Sequence, residues 1–158
     1  MGVYQIDKLM GEARRLAAEY RRATGKTLAI SGEIAVSDAI SILGLEPAPA
    51  TAEGYDVVRT VAGLSEKLQV KARTLFDDTR RPHRLGQLRL DQAWDAALLV
   101  LMDENYEPIE IHEARRDALV AALAVATPNK RGTISVGRFK SLGRCLWSRD
   151  TSRAAGSA

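Results

Sequence analysis

Residue types that together could hydrolyse a phosphodiester bond occur in one short stretch of this sequence. Asp56 is followed by Gln69 and Lys71, and only Val70 separates the last two. A carboxylate is a hard oxygen ligand that can hold Mg²⁺ or Mn²⁺, and the metal ion then activates water and neutralises phosphate charge. A nearby lysine ammonium can stabilise the transition state. Asp56, Gln69 and Lys71 are therefore candidate catalytic residues.

Two segments that are predicted to form a β-hairpin carry these residues. Residues 55–61 are rich in β-branched side chains, and residues 68–75 alternate between apolar and polar side chains. Gly63 lies between them and suits a tight reversal. Side chains two positions apart in a strand share a face, so Gln69 and Lys71 project together.

The register of this hairpin decides which residue stands opposite Asp56. A reversal centred on residues 62–63 puts Asp56 opposite Gln69, and one centred on residues 63–64 puts it opposite Lys71. The sequence leaves both registers open, and either brings the three side chains onto one face. The alternative interpretation is an ordinary cross-strand ion pair between Asp56 and Lys71, which contributes little to stability.

Glu33 is a candidate second carboxylate for the metal ion. It falls in the first turn of a predicted helix over residues 31–43, which could pack beside the sheet. The helix dipole explains an acid at this position equally well. Gln69 taken alone is explained by an ordinary surface position, and only its neighbours make it a candidate ligand.

The composition is that of a single globular domain, which we place at residues 1–150, with a disordered tail at 151–158. The net charge of +3 permits a nucleic-acid partner. Cys145 is the single cysteine, so an intrachain disulfide is excluded, and two histidines make a zinc site improbable. The apolar run Ala96–Met102 is too short to span a membrane, and no signal peptide is seen at the start. These features predict a cytoplasmic protein with no membrane segment.

Periodicity along the rest of the chain predicts an α/β (α+β) fold, a small mixed four-stranded sheet flanked by helices. A long polar loop is expected over residues 76–89. The predicted helices are residues 4–24, 31–43, 114–124 and 135–147, and the predicted strands are residues 55–61, 68–75, 96–102 and 106–112.

Four basic residues are candidates for contact with a phosphate backbone. Arg73 follows the candidate lysine at the end of its strand. Arg138, Lys140 and Arg144 decorate the predicted C-terminal helix, where few acidic residues offset them. The alternative is that all four belong to an ordinary solvated surface.

Three segments resemble the PD-(D/E)XK nuclease superfamily. They are Ser31-Gly32-Glu33-Ile34-Ala35, Gly54-Tyr55-Asp56 and Leu68-Gln69-Val70-Lys71. The closest similarity is to the Asp…Gln-x-Lys variant of Mrr-like restriction endonucleases. The chain is also similar to uncharacterised bacterial domains of unknown function that share the Gly-Glu-x-Ala and Gly-Tyr-Asp elements.

The resemblance covers roughly residues 30–112 and implies a restriction-endonuclease-like core of the order α-β-β-β-α-β. It implies that Glu33 is the helix acid, Asp56 the metal-binding acid, Gln69 the variable second ligand and Lys71 the catalytic lysine. The sequence departs from the family pattern where Tyr55 replaces proline before the acid, and where a neutral Gln69 occupies a position that often holds a carboxylate.

These observations predict a metal-dependent, DNA endonuclease-like domain that uses Mg²⁺ or Mn²⁺. The main alternative is a catalytically inactive nuclease-fold module that binds nucleic acid or a partner protein. A third hypothesis is a small interaction protein unrelated to nucleases. A homodimer is compatible with the first hypothesis, because one small catalytic domain must otherwise cut two strands alone.

Overall fold

The computed structural model describes residues 2–76, 84–125 and 133–151, in which four helices between Val3 and Leu142 accompany one six-stranded sheet. The helices are α1 (Val3–Thr24), α2 (Ser31–Leu43), α3 (Arg116–Val125) and α4 (Val136–Leu142). The strands are β1 (Glu46–Pro47), β2 (Val57–Val61), β3 (Leu64–Thr74), β4 (Ala96–Met102), β5 (Pro108–Arg115) and β6 (Arg144–Ser148). The expected mixed α/β architecture is confirmed, but the prediction of four strands is wrong.

The strands lie in the sheet in their chain order. Every neighbouring pair is antiparallel except β3 and β4, which run parallel. Parallel neighbours require the chain to cross from one end of the sheet to the other. The chain makes this crossover between Thr74 and Ala96, and residues 75–76 and 84–95 of it are described.

Strands β1 and β6 were not predicted, because their local sequence patterns indicate other structures. β1 has only two residues and includes Pro47, in a segment whose prolines indicate a connector. β6 begins within the segment 135–147, which was predicted to be one continuous helix. Ser135 does cap that helix, accepting a hydrogen bond from the Arg138 backbone N–H at 3.2 Å, but α4 ends at Leu142.

The chain leaves α4 because the next residues pack closely against β5. A Cβ atom at Gly143 would lie 2.0 Å from the backbone oxygen of Glu113, so only glycine permits this approach. β6 then pairs with β5, and Arg144 stands opposite Glu113. The prediction that Arg144 lies on a helix is therefore wrong.

The β2–β3 hairpin settles the register around Asp56. Its turn residues Ala62 and Gly63 have φ values of 52° and 78°, as a two-residue turn of type I′ requires. Val57 pairs with Leu68, so Asp56 continues the register opposite Gln69. The Asp56 N–H donates to the Leu68 carbonyl at 2.9 Å.

Apolar side chains cover both faces of the sheet. β4 is buried at all seven positions, as its continuous apolar sequence predicted. One layer joins Leu68 and Val70 of β3 to residues of α1 and α2. The second layer, on the opposite face, joins buried residues of β4 to the crossover, α3 and α4. Because β3 alternates, Gln69 and Lys71 face the side of this second layer.

Several expectations fall partly outside the described residues. Of the predicted polar loop 76–89, residues 77–83 are not described, and of the predicted disordered tail 151–158, only Thr151 is described. Within the described ranges, no helix is long and apolar enough to cross a membrane.

Candidate active site

Asp56, Gln69 and Lys71 line one open cleft of about 520 Å³, here called the Asp56 cleft. The loop before β2 forms one wall, and the crossover between β3 and β4 forms another. The three residues predicted from the hairpin are therefore brought together. Seven further residues complete the lining: Ala52, Glu53, Gly54, Tyr55, Val70, Arg89 and Gln92.

Asp56 occupies the point where β2 stops pairing with β3. Its carboxylate Oδ2 accepts a hydrogen bond from the Val70 backbone N–H at 2.8 Å. That N–H faces the strand edge beyond the last paired residue of β2, so the carboxylate takes the place of a missing strand partner. One carboxylate oxygen thus orients Asp56 beside Gln69.

Gln69 carries an unsatisfied polar atom. Only 4% of the residue is exposed, and its side-chain Nε2 donates to the Gly54 carbonyl at 3.1 Å. A backbone carbonyl can only accept, so this bond fixes which end of the amide is nitrogen. Oε1 is then buried without a hydrogen-bond partner among the described residues. Leaving such an acceptor unpaired costs about 1–3 kcal/mol.

Gly54 holds the loop in a conformation that suits glycine. Its φ is +85°, and a Cβ atom there would lie 2.2 Å from Cβ of Gln92. The loop can therefore approach the crossover only because position 54 has no side chain. This approach places the carbonyl that orients Gln69.

Lys71 is half-buried in the cleft, where burial and two charged neighbours shift the pKa of its ammonium group. Burial lowers the pKa of its ammonium group, the Asp56 carboxylate opposes this shift, and the Arg89 guanidinium adds to it. The net direction is a pKa below the ordinary lysine value. A poorly hydrated ammonium beside a carboxylate can interact strongly with a phosphate.

Glu53 and Arg89 are charged residues of the cleft that were not among the predicted site residues. Glu53 lies three residues before Asp56 and could have been noticed as a nearby acid. Arg89 comes from the crossover, where the Trp94 indole N–H donates to the Arg89 carbonyl at 2.7 Å.

Glu33 is not brought to the cleft. It is exposed in the first turn of α2 and does not line the cleft. α2 packs through Ile34 and Ala35 on the sheet face that carries Leu68. Gln69 projects from the opposite face, so helix packing separates Glu33 from the other predicted site residues.

The three basic residues predicted on the C-terminal helix do not share one helical surface, because Arg144 lies on a strand. Arg73 lies on β3 two positions after Lys71, and Arg138 is exposed on α4. Lys140 Nζ lies 3.3 Å from a carboxylate oxygen of Glu110. Arg144 lies on β6, where its Nη2 is 3.2 Å from a carboxylate oxygen of Glu113.

The donor atoms of the cleft suit a hydrated hard cation better than a fully enclosed metal. Among the described residues, no group of three or more His, Cys, Asp or Glu converges to hold a metal ion. Mg²⁺ needs only one or two carboxylates, because it keeps several waters. Asp56, Glu53 and the unpartnered Gln69 Oε1 offer oxygen donors of this kind.

A scan of the chain against protein-family models gives no match, and none of the curated proteins matches its sequence either. The functional class therefore rests on the geometry and chemistry of the Asp56 cleft.

Proposed function

We propose that this protein is a Mg²⁺- or Mn²⁺-dependent, endonuclease-like protein that hydrolyses phosphodiester bonds of DNA in the Asp56 cleft. One observation carries the proposal: a buried glutamine oxygen without a partner lies in the same cleft as a carboxylate and a half-buried ammonium. A buried acceptor without a hydrogen-bond partner lowers the stability of the fold. A ligand that binds this oxygen accounts for its presence. A cytoplasmic location is part of the proposal.

The order of elements supports a restriction-endonuclease-like core. α2 is followed by the antiparallel strands β1, β2 and β3, and then by a crossover to β4, which is parallel to β3. This order matches the α-β-β-β-α-β arrangement that the resemblance implies, with one difference. The described part of the crossover, residues 84–95, contains no helix.

Each polar residue of the cleft has a separate role in the proposed reaction. Asp56 and Gln69 would hold the cation, with Glu53 as the second carboxylate in place of Glu33. When bound, the cation supplies an activated water and neutralises charge on the phosphate. The Lys71 ammonium stabilises the charge that builds up on the phosphate oxygens. Arg89 binds a neighbouring phosphate oxygen and orients the strand.

A specific observation favours a second candidate function, a catalytically inactive nuclease-fold module that binds nucleic acid or a partner protein. The Asp56 Oδ2 atom is already engaged by the Val70 N–H, and Gln69 is neutral. The cleft therefore offers the cation fewer free carboxylate oxygens than a site with two acidic strand residues.

DNA cleavage distinguishes the two functions. Supercoiled and linear DNA are incubated with Mg²⁺ or Mn²⁺ and the parent protein, Asp56→Asn or Lys71→Met. We expect cleavage by the parent and a loss of about 10²–10³-fold or more in each variant. Asp91→Asn, at an exposed position of the crossover, and Lys8→Met, on exposed α1, are matched controls. Salt-dependent DNA retention without cleavage would instead support the binding module.

Metal binding is measured separately from cleavage. We expect Mg²⁺ to raise the melting temperature of the parent, because a ligand that binds only the folded state stabilises it. Asp56→Asn should lose this shift. Gln69→Glu should be less stable than the parent without metal, since a carboxylate would face the Gly54 carbonyl, and should gain a larger shift with Mg²⁺. Equal shifts in the parent and Asp56→Asn would place the cation elsewhere.

A further inference from the structure

A second pocket continues the Asp56 cleft along the same face of β3. It has a volume of about 490 Å³ and is lined by Lys67 of β3 and by residues of the crossover, among them Gln92. We call it the Lys67 pocket. Gln92 also lines the Asp56 cleft, so the two concave surfaces share a wall. The residues that were assigned above to metal binding and catalysis line the cleft, and Lys67 is an addition to them.

Strand geometry places Lys67 on the side of β3 that carries the candidate catalytic residues. Lys67, Gln69 and Lys71 follow one another at every second position, so their side chains share a face. The backbone of Lys67 is fixed by two hydrogen bonds with Asp95. The Lys67 carbonyl accepts from the Asp95 N–H at 2.7 Å, and the Lys67 N–H donates to the Asp95 carboxylate at 2.7 Å. Lys67 and Lys71 are separated by about 13 Å along the strand.

Tyr55 positions the Lys67 ammonium at the rim of the Asp56 cleft. The Lys67 Nζ atom lies 5.2 Å from the centroid of the Tyr55 ring. Tyr55 itself lines the cleft and packs against the second apolar layer. An aromatic face attracts an ammonium group, which has three N–H donors and can still bind an anion on its other side. The residue that replaces proline in the family pattern therefore holds a cation beside the cleft.

The Lys67 ammonium forms no ion pair with a carboxylate in the described part of the chain. The adjacent Glu66 pairs with arginines on the opposite face of β3. Asp91 and Asp95 line the Lys67 pocket, and these two acids weaken its attraction for a small free anion. A strand that is anchored in the Asp56 cleft is present at a high effective concentration, so one further contact adds to its affinity.

Arg116 is the second cation of the Lys67 pocket, and its role is structural. Its guanidinium donates to the carbonyls of Leu90 and Gln92, both at 2.6 Å. These bonds hold the wall that the pocket shares with the Asp56 cleft. Lys67 is therefore the cation of this pocket whose charge is available to a ligand.

We infer that Lys67, held by Tyr55, binds a backbone phosphate of the nucleic-acid strand that enters the Asp56 cleft. The inference rests on the proposed function, because that function supplies the strand. Each strand of a DNA duplex carries one phosphate per about 3.4 Å of helix axis. A few nucleotides therefore cover the distance of about 13 Å between Lys71 and Lys67. The strand then lies along β3, and Lys67 contacts it outside the reacting group.

The salt dependence of DNA binding tests the inference. The affinity of the full chain for a fluorescent duplex is measured by anisotropy in EDTA, which prevents metal-dependent cleavage. Each phosphate contact contributes about −0.9 to the slope of log affinity against log salt concentration. Lys67→Met should reduce the size of this slope by about one and weaken binding roughly tenfold at about 0.1 M salt. Lys8→Met, which removes the same charge from exposed α1, should change neither quantity.

Tyr55→Leu separates positioning of the ammonium from a structural role. Loss of the cation–π contact should weaken DNA binding about three- to fivefold, whereas Tyr55→Phe keeps the ring and should bind like the parent. Tyr55→Leu should have no further effect in a Lys67→Met background, because the ammonium that the ring positions is gone. Equal weakening in both backgrounds would mean that Tyr55 does not act through Lys67.

An unchanged salt slope in Lys67→Met would overturn the inference. So would an equal change in Lys8→Met, because that result would reflect net charge alone.

Failure of this inference is distinguishable from failure of the proposed function. If the parent cleaves DNA while Lys67→Met keeps the salt slope of the parent, only the inference fails. If the parent cleaves nothing but Lys67→Met shows the smaller slope, only the catalytic proposal fails. A parent that does not bind DNA at all would overturn both.

Discussion

Strand β3 carries two polar regions that differ in how completely their charges are paired. Glu66 lies on the face shared with Leu68 and belongs to an arginine–glutamate cluster. Gln69 and Lys71 lie on the opposite face, in the Asp56 cleft. The cluster consists of Arg59, Glu66, Glu113, Arg115 and Arg144.

The cluster is saturated with hydrogen bonds. Glu113 is only 2% exposed, and Arg59 donates to both of its carboxylate oxygens, at 2.6 and 3.1 Å. Arg144 adds a third bond at 3.2 Å. Arg59 also donates to Glu66 at 2.9 Å. Every buried charge in this region has a partner of opposite sign from the protein itself.

In the Asp56 cleft, by contrast, not every buried polar group has a partner from the protein. The Gln69 Oε1 atom is buried and unpaired, and the Lys71 ammonium is half-buried beside a second cation, Arg89. Charged groups whose hydrogen-bond and ion-pair partners all come from the protein contribute to the fold. Polar groups that lack such partners can bind a ligand. The difference in pairing therefore separates structural charge from candidate functional charge on one strand.

The largest expected effect is a loss of stability when the arginine–glutamate cluster is disrupted. Glu113→Gln leaves three arginines facing a neutral amide, so we expect the free energy of unfolding to fall by about 3 kcal/mol. Lys71→Met should be neutral or stabilising, because it removes a charge that burial disfavours. Denaturant unfolding of both variants measures this contrast. A Lys71→Met variant as unstable as Glu113→Gln would show that the cleft is also structural.

The second effect tests the loop that orients Gln69. Gly54→Ala combines a positive φ with a contact too close for any side chain, so we expect a loss of about 2 kcal/mol in stability together with loss of cleavage. Gly63→Ala has a similar φ of +78° but meets nothing within 4 Å. This control should lose only about 1 kcal/mol and keep its activity. Equal losses would mean that the Gln92 contact is unimportant.

The smallest effect is a pH dependence that Glu113 gives to the stability of the cluster. Burial raises the pKa of Glu113, but the hydrogen bonds from Arg59 and Arg144 lower it by more, so the net direction is downward. A carboxylate with a lowered pKa stabilises the fold above its unfolded value of about 4.3 and loses this contribution as the pH falls through the lowered pKa. The difference in unfolding free energy between the parent and Glu113→Gln should therefore shrink below about pH 4.

Denaturant unfolding at pH 6 and pH 3 measures this change. Glu12→Gln, at an exposed position of α1, should keep a constant difference from the parent. A Glu113→Gln difference that stays constant with pH would mean that the buried carboxylate gains nothing from its arginine partners.

Much of the candidate site could be predicted because its signals are local. Alternation placed Gln69 and Lys71 on one face, and Gly63 indicated the turn that returns the chain to Asp56. The apolar run of β4 and the bounds of α2 were also predicted as observed. β6 was not predicted, because its sequence keeps helical spacing and only the close approach at Gly143 ends the helix.

The sequence by itself determined which residues of the hairpin share a face, since strand periodicity and turn chemistry act over a few residues. The hairpin register that puts Asp56 opposite Gln69 was settled by its two-residue turn. Only the tertiary structure decided that Glu33 lies on the far side of the sheet and that Arg89 reaches the cleft. These outcomes depend on which face each helix buries and on where the crossover returns. Both are set by packing between segments that are distant in the chain, which no short-range pattern encodes.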